Sequence, residues 1–239
     1  VTSRTETPLT AHTLLTDHTF EAVLFEAVLF DMDGTLIDST GSVDRSWVRW
    51  ARARGIDRAS FDIAHGVPAR QILASFLPSV EVEAALIEIE KLEMADAEGI
   101  LVLPGALEAL AALPEGRAAV ATSCTPSLAQ VRIEATGLPV PAVVVTADDV
   151  PVGKPDPGPY LLAASRLGVD PSRCLVVEDA PAGLTAGRAA GCATLALSTT
   201  HAVGRLSADA VVGTLADVTF AADDGGVRLQ VHQSVRVPR

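Results

Sequence analysis

Basic residues are scarce and nowhere clustered: 18 lysines and arginines stand against 30 acids in 239 residues, a net charge of −12. No basic run is long enough to track a phosphate backbone, which argues against DNA or RNA as a partner. Long apolar runs are missing too. No uninterrupted stretch approaches the roughly 18 residues that a spanning helix needs, so no membrane partner is expected. Residues 1–19 lack the apolar core of a signal peptide, and a cytoplasmic address is the expectation. Cysteine is sparse: Cys124, Cys174 and Cys192 have no close metal-like spacing and leave one thiol over in any disulfide scheme. A reducing compartment fits that pattern. What is present is a chain 49% hydrophobic, long enough for one core domain and a smaller inserted one.

Asp31-Met32-Asp33-Gly34-Thr35 directly follows the apolar run Ala27-Val28-Leu29-Phe30. Two acids at the carboxyl end of a buried strand lie where open α/β sheets bind ligands, and they repel unless a cation or proton is shared. Asp-x-Asp-Gly also opens calcium loops. Counted from Asp31, however, position 6 is Leu36 and position 12 is Ser42, so the turn glycine and closing glutamate of such a loop are absent. A plain acidic turn remains the alternative for this motif alone. Three further polar segments follow, at Thr122-Ser123 after Ala118-Ala119-Val120-Ala121, at Gly153-Lys154-Pro155, and at Glu178-Asp179 after Cys174-Leu175-Val176-Val177. Parallel strands would bring an Asp pair, a hydroxyl, an ammonium and a second acid pair to one crevice, a set suited to phosphoryl transfer.

In order and spacing these four motifs resemble the haloacid dehalogenase superfamily. The resemblance implies a doubly wound, mostly parallel α/β core and an aspartyl-phosphate mechanism. Asp31 would be the nucleophile, and Asp33 would protonate the leaving oxygen and then activate water. Ser123, or Thr122 if the register is one residue off, would hydrogen-bond the transferring phosphoryl group. Lys154 would balance charge, its prolines holding the backbone still. Mg²⁺ would be bound by the Asp31 side chain, the Asp33 carbonyl and Asp179, with Glu178 ligating directly or through water. Blander roles stand beside these: Ser and Thr before Pro126 make good helix caps, Asp179 could simply cap the helix starting near Pro181, and a loop lysine is usually a solvated charge. Gly183 and Gly187, four apart, are expected to let that helix pack closely on the sheet, and Gly191 suits its end. Cys124 is read as a small site-lining residue.

The predicted organisation is a loosely attached tail over 1–19, an α/β core over 20–37 and 104–239, and a helical cap over 38–103 with no strand until the core resumes near Pro104. Glu21-Ala22-Val23-Leu24-Phe25 recurs at once as Glu26-Ala27-Val28-Leu29-Phe30. An odd-length copy reverses the facing of every residue along a strand, so only the second copy can be in register with Asp31. The first could lengthen the strand, form an edge segment or compete for the register. In the insertion, Ser42 to Gly55 carries Arg45, Arg49, Arg52 and Arg54, while Ser79 to Gly99 carries seven acids and one lysine. Complementary pairing between helices is expected.

His65-Gly66-Val67-Pro68-Ala69-Arg70 is the expected substrate-reading loop, with His65, Gly66 and Arg70 as contacts. His-Gly here resembles the polyol- and deoxysugar-phosphate phosphatases of the family, a likeness extending to Gln233-Ser234-Val235-Arg236-Val237. The partner implied is a small phosphorylated metabolite. β-Phosphoglucomutase is the runner-up. Its loop sets the arginine one position earlier, and one residue turns a helical side chain by about 100°. A non-catalytic binder of phosphorylated ligands is a third reading, disfavoured because every catalytic position is filled.

Overall fold

A computed structural model describes residues 23–57 and 69–232. At its centre lie six parallel strands: β2 (Ala27–Phe30), β5 (Ala118–Ala121), β6 (Val143–Val145), β7 (Cys174–Glu178), β8 (Ala193–Leu197) and β9 (Ala210–Val212), ordered β6-β5-β2-β7-β8-β9. Every residue of β2, β5, β7 and β8 is buried. Strands covered on both faces can be apolar throughout, which is why their sequences show continuous runs instead of alternation. Alternation is present in the packing. Val28 and Phe30 join one core with α4 (Ala106–Ala111) and α5 (Pro126–Thr136), whereas Ala27 and Leu29 join another with α6 (Gly158–Leu167) and α7 (Pro181–Ala189). This is the doubly wound α/β sheet expected. Because β5 and β7 flank β2 on opposite sides, the chain changes direction across the sheet at β2, and a crevice opens beyond its carboxyl end.

The duplicated pentapeptide resolves into two sheets. The second copy is β2; the first supplies β1 (Val23–Phe25), which pairs antiparallel with β11 (Gly226–Val231), itself paired with β10 (Val218–Asp223). Glu26 lies at the joint, its N–H donating to the Arg173 carbonyl at 2.7 Å. Gly226 lets β11 approach β1 closely: at φ +141° a Cβ there would sit 2.4 Å from the Phe25 carbonyl oxygen. Phe30 meets Phe220 edge to face at 6.0 Å between ring centres, joining the small sheet to the main core.

Between the first strand pair and the rest of the core come α1 (Thr40–Ala53), α2 (Ala69–Ala74) and α3 (Ser79–Ala95). They share a hydrophobic cluster of their own, in which Trp47 and Trp50 pack with Ile72, Leu73, Val82, Ala85 and Ile89. Its stripes follow helical spacing: on α3 the buried positions are Val82, Ala85, Ile89 and Glu93. The expected charge pairing is realised by Arg54 with Glu81 and Glu88, and by Arg45 with Asp96.

One expectation needs correction. Strand structure returns before Pro104: β3 (Ile37–Asp38) pairs antiparallel with β4 (Leu101–Val102), so a two-stranded ribbon connects the helical layer to the core. Two-residue strands are too short to carry a readable period. Residues 1–19, His65, Gly66 and the Gln233–Val237 segment lie outside the described residues. Among the described residues no helix is long and apolar enough to cross a membrane.

Candidate active site

The crevice is built first by backbone. The Asp31 N–H donates to the Val177 carbonyl at 2.9 Å, anchoring the end of β2 to β7. The chain then turns sharply, with the Thr35, Leu36 and Ile37 N–H groups all directed at the Met32 carbonyl. Gly34 makes the turn possible: its φ is +83°, and a Cβ would lie 2.3 Å from Asp179 Oδ2. The same turn carries Thr35, whose Oγ1 donates to Asp179 Oδ1 at 3.3 Å.

Lys154 occupies the floor. Its ammonium lies 2.5 Å from Asp31 Oδ1 and 2.7 Å from Glu178 Oε1, and it is not a solvated charge, being only 5% exposed. Glu178 is bound on all sides: Oε1 also accepts from the Tyr160 hydroxyl at 2.9 Å, and Oε2 accepts the Asp179 and Ala180 N–H groups at 3.1 and 3.0 Å. Burial would pull the Lys154 ammonium down, but the two carboxylates outweigh it and hold the group above its ordinary value. Burial pushes the Asp31 carboxyl well up, with Lys154 opposing and Glu178 and Asp179 adding to it. Asp179 is raised as well, by burial and then by Glu178, against the Thr200 hydrogen bond and Lys154. One ammonium thus faces three buried acids, and their carboxylate oxygens lie within 4.8 Å of one another. That donor set fits a hard divalent cation with oxygen ligands. Asp31 and Asp179 could hold it, the Glu178 oxygens being engaged by Lys154, Tyr160 and two backbone N–H groups.

Asp33 points elsewhere. Its Oδ1 accepts from Ser39 Oγ at 2.6 Å, while Oδ2 lies 2.8 Å from Arg132 Nη1 and 3.1 Å from the Cys124 sulfur. Burial pushes the Cys124 thiol up, so it is a donor to Asp33 and no nucleophile. Ser123 is exposed at the end of β5, lining the same cavity of about 900 Å³ as Asp31, Asp33 and Lys154. That volume suits a small ligand.

A family model for haloacid dehalogenase-like hydrolase matches residues 25–191. The chain belongs to the haloacid dehalogenase-like hydrolases. It is 39% identical over 205 residues to hexitol phosphatase A of Escherichia coli, covering 83% of this chain and 95% of that one. It is 35% identical over 229 residues to glycerol-1-phosphate phosphohydrolase 2 of Saccharomyces cerevisiae, covering 88% and 84% respectively. Among solved structures, CbbY from Rhodobacter sphaeroides in complex with phosphate superposes with a TM-score of 0.69 at 26% identity, over 81% of this chain and 96% of that one.

Within this haloacid dehalogenase-like frame, several sequence expectations change. Neither Thr122 nor Ser123 caps the following helix; Thr125 does, accepting from the Leu128 N–H at 3.3 Å, while Thr122 is buried and its Oγ1 accepts from the Cys124 N–H at 3.1 Å. Asp179 does not cap α7 either, since Ala180 holds that position and the Asp179 oxygens accept from Thr35 and Thr200. Gly187 packs on the sheet at Val176 as expected, and Gly183 meets it at Glu178, the last residue of β7; a Cβ there would fall 1.6 Å from Glu178 Oε1, so this glycine also clears space for a site carboxylate. Arg70 lines the cavity, yet its guanidinium pairs with Glu83 at 2.6 Å and is mostly exposed. Sequence reading missed Tyr160, Thr200, Arg132 and Glu93. For Arg132 and Glu93 a signal existed, because each is a charge placed on the buried stripe of its helix.

Proposed function

We propose that this hydrolase is a Mg²⁺-dependent phosphatase acting on small sugar or polyol phosphate monoesters, with Asp31 as nucleophile. The observation that carries the reading is the buried floor, where Lys154 bridges Asp31 and Glu178 beside Asp179. The names of the hexitol and glycerol phosphate relatives support the substrate class.

In the first step an Asp31 oxygen attacks phosphorus and the bond to the leaving alkoxide breaks, Asp33 delivering the proton that the alkoxide needs. In the second, Asp33 takes a proton from water, the water oxygen attacks phosphorus, and Asp31 is released with inorganic phosphate. Lys154 fixes the attacking carboxylate and offsets the charge of the phosphoryl group. Ser123, with Thr122 behind it, hydrogen-bonds the transferring oxygens. Held by Asp31, the Asp33 carbonyl and Asp179, with Glu178 fixing Lys154 beside them, Mg²⁺ would neutralise charge on the phosphoryl oxygens. We assign residues 38–103 as a cap over the crevice that excludes water, and His65, Gly66 and Arg70 as its substrate contacts.

The test is phosphate release with Mg²⁺ and with EDTA from glycerol phosphates, hexitol phosphates, 2-deoxyglucose 6-phosphate and β-glucose 1-phosphate. Metal-dependent release from polyol or sugar phosphates is expected. Conversion of β-glucose 1-phosphate to the 6-phosphate with little free phosphate would instead mean a mutase, and no turnover of any ester would overturn the reading.

A further inference from the structure

Asp31 and Asp33 are two residues apart, but they are tied to different parts of the molecule. Asp31 is held within the core, by Lys154 of the loop before α6 and by the Val177 carbonyl of β7. Both oxygens of Asp33 lead to the helical layer. Oδ1 takes the hydroxyl of Ser39, the residue before α1, and Oδ2 takes Arg132 Nη1 at 2.8 Å. The other arm of Arg132, Nη2, reaches Glu93 Oε2 on α3 at 2.9 Å. Arg132 is 4% exposed and Glu93 8%. A second tie runs beside the first, from the Thr125 hydroxyl at the start of α5 to Glu90.

We infer that Arg132 and Glu93 are a positioning pair that aims the Asp33 carboxylate, so that the orientation of the acid–base group follows the placement of α3. The inference rests on the proposed role of Asp33. A planar guanidinium presents its donors in a fixed fork, so the positions of two partners determine how it is turned. Here one partner belongs to the helical layer and the other is the group that must meet the leaving oxygen. The fork is not fully used: Arg132 Nε is buried without a hydrogen-bond partner. The third contact of the guanidinium, from Nη1 to the Cys124 sulfur at 2.9 Å, lies on the same arm as the Asp33 contact, and Cys124 itself donates to Asp33, so the arm, the thiol and the carboxylate turn as one group. A shift of α3 that moves Glu93 turns the Nη1 arm, and with it the carboxylate that Nη1 holds.

The consequence can be read in the leaving group. An alkyl phosphate needs its departing oxygen protonated, whereas p-nitrophenolate leaves without that help. The quantity kcat/KM covers only the steps through departure of the leaving group. We would compare kcat/KM for p-nitrophenyl phosphate with that for the alkyl phosphate of the panel that the wild type hydrolyses fastest, in Arg132→Lys, Glu93→Gln and Asp33→Asn. Since misfolded protein lowers both values equally, their ratio is insensitive to the active fraction. The alkyl-to-aryl ratio is expected to fall about tenfold in Arg132→Lys and several-fold in Glu93→Gln, a part of the 10²–10⁴ that a general acid supplies. Equal losses on both esters in Arg132→Lys and Glu93→Gln, with a selective alkyl loss in Asp33→Asn, would overturn the positioning role and leave the function standing. An unchanged ratio in Asp33→Asn would overturn the acid–base reading itself.

Discussion

The floor of the crevice and the helical layer facing it handle charge in opposite ways. On the floor, Lys154, Glu178, Asp179 and Asp31 are all buried, and their partners are one another, backbone N–H groups, a buried tyrosine and the hydroxyls of Thr35 and Thr200. On the outer surface of the helical layer, away from the buried Glu93, Arg54 with Glu88 and Arg70 with Glu83 are exposed pairs between helix surfaces. Exposed pairs of that kind contribute about 0–1 kcal/mol. Removing one member of a buried set leaves a charge without its partner, which costs about 3–5 kcal/mol. The difference teaches where function resides: a site that keeps three acids against one ammonium is held at the expense of stability, and the surface pairs only trim the fit of helices.

The largest expected effect comes from Asp31→Asn. Turnover should fall at least about a thousandfold, since the nucleophile is lost, while the melting temperature in EDTA should not fall below that of the wild type, because one of three crowded acids has been neutralised. A lower melting temperature would mean that the floor is not under-compensated, and the contrast would collapse. Lys154→Met is the opposite case. It leaves Asp31 and Glu178 buried without their cation and should cost about 3–5 kcal/mol in chemical denaturation as well as most of the activity.

Gly183→Ala sharpens the comparison at a single methyl group. Alanine favours a helix over glycine by about 1 kcal/mol, yet here its Cβ would fall 1.6 Å from Glu178 Oε1. The carboxylate must move, loosening its bonds to Lys154 and Tyr160. Lower kcat with little gain in stability is expected. The same change at an exposed helix site would be stabilising.

The floor was largely legible in the amino-acid sequence because Asp31 and the Glu178-Asp179 pair each end an apolar run, and a parallel sheet gathers such ends at one edge; Lys154, in a loop well past β6, was placed by the order of the motifs. Asp31, Lys154, Glu178 and Asp179 needed no knowledge of helix packing to be placed together. Arg132, Glu93 and Tyr160 did. They sit inside helices, and which face a helix buries depends on neighbours far along the chain. Tyr160 is the only tyrosine in the sequence, but nothing local says that its hydroxyl ends on Glu178. The first copy of the pentapeptide was undecidable for a related reason. Its partner β11 lies some two hundred residues away, and strand pairing at that distance leaves no trace in a local pattern.

The exposed side of the comparison yields the smallest effects. Arg54→Ala, which removes an ion pair to Glu88 and a cation–π contact 5.3 Å from the Trp50 ring, should cost about 1 kcal/mol and leave kcat unchanged. Smaller still is Asp149, which accepts from Arg166 and from the Thr146 backbone and is held down to about 2 by those bonds, Arg166 first. The sign follows from that direction. A carboxyl lowered in the folded state contributes stability that is fully present above the ordinary value near 3.8 and is lost as pH falls toward about 2. With Asp149 26% and Arg166 38% exposed, solvent screening keeps this contribution under about 1 kcal/mol. Wild type and Asp149→Asn should therefore differ slightly in melting temperature at pH 6, and the gap should close on titration to pH 2. If the gap widened instead, the pair would be opposing the fold, and the division between a costly buried floor and a mildly helpful surface would not extend to this edge of the crevice.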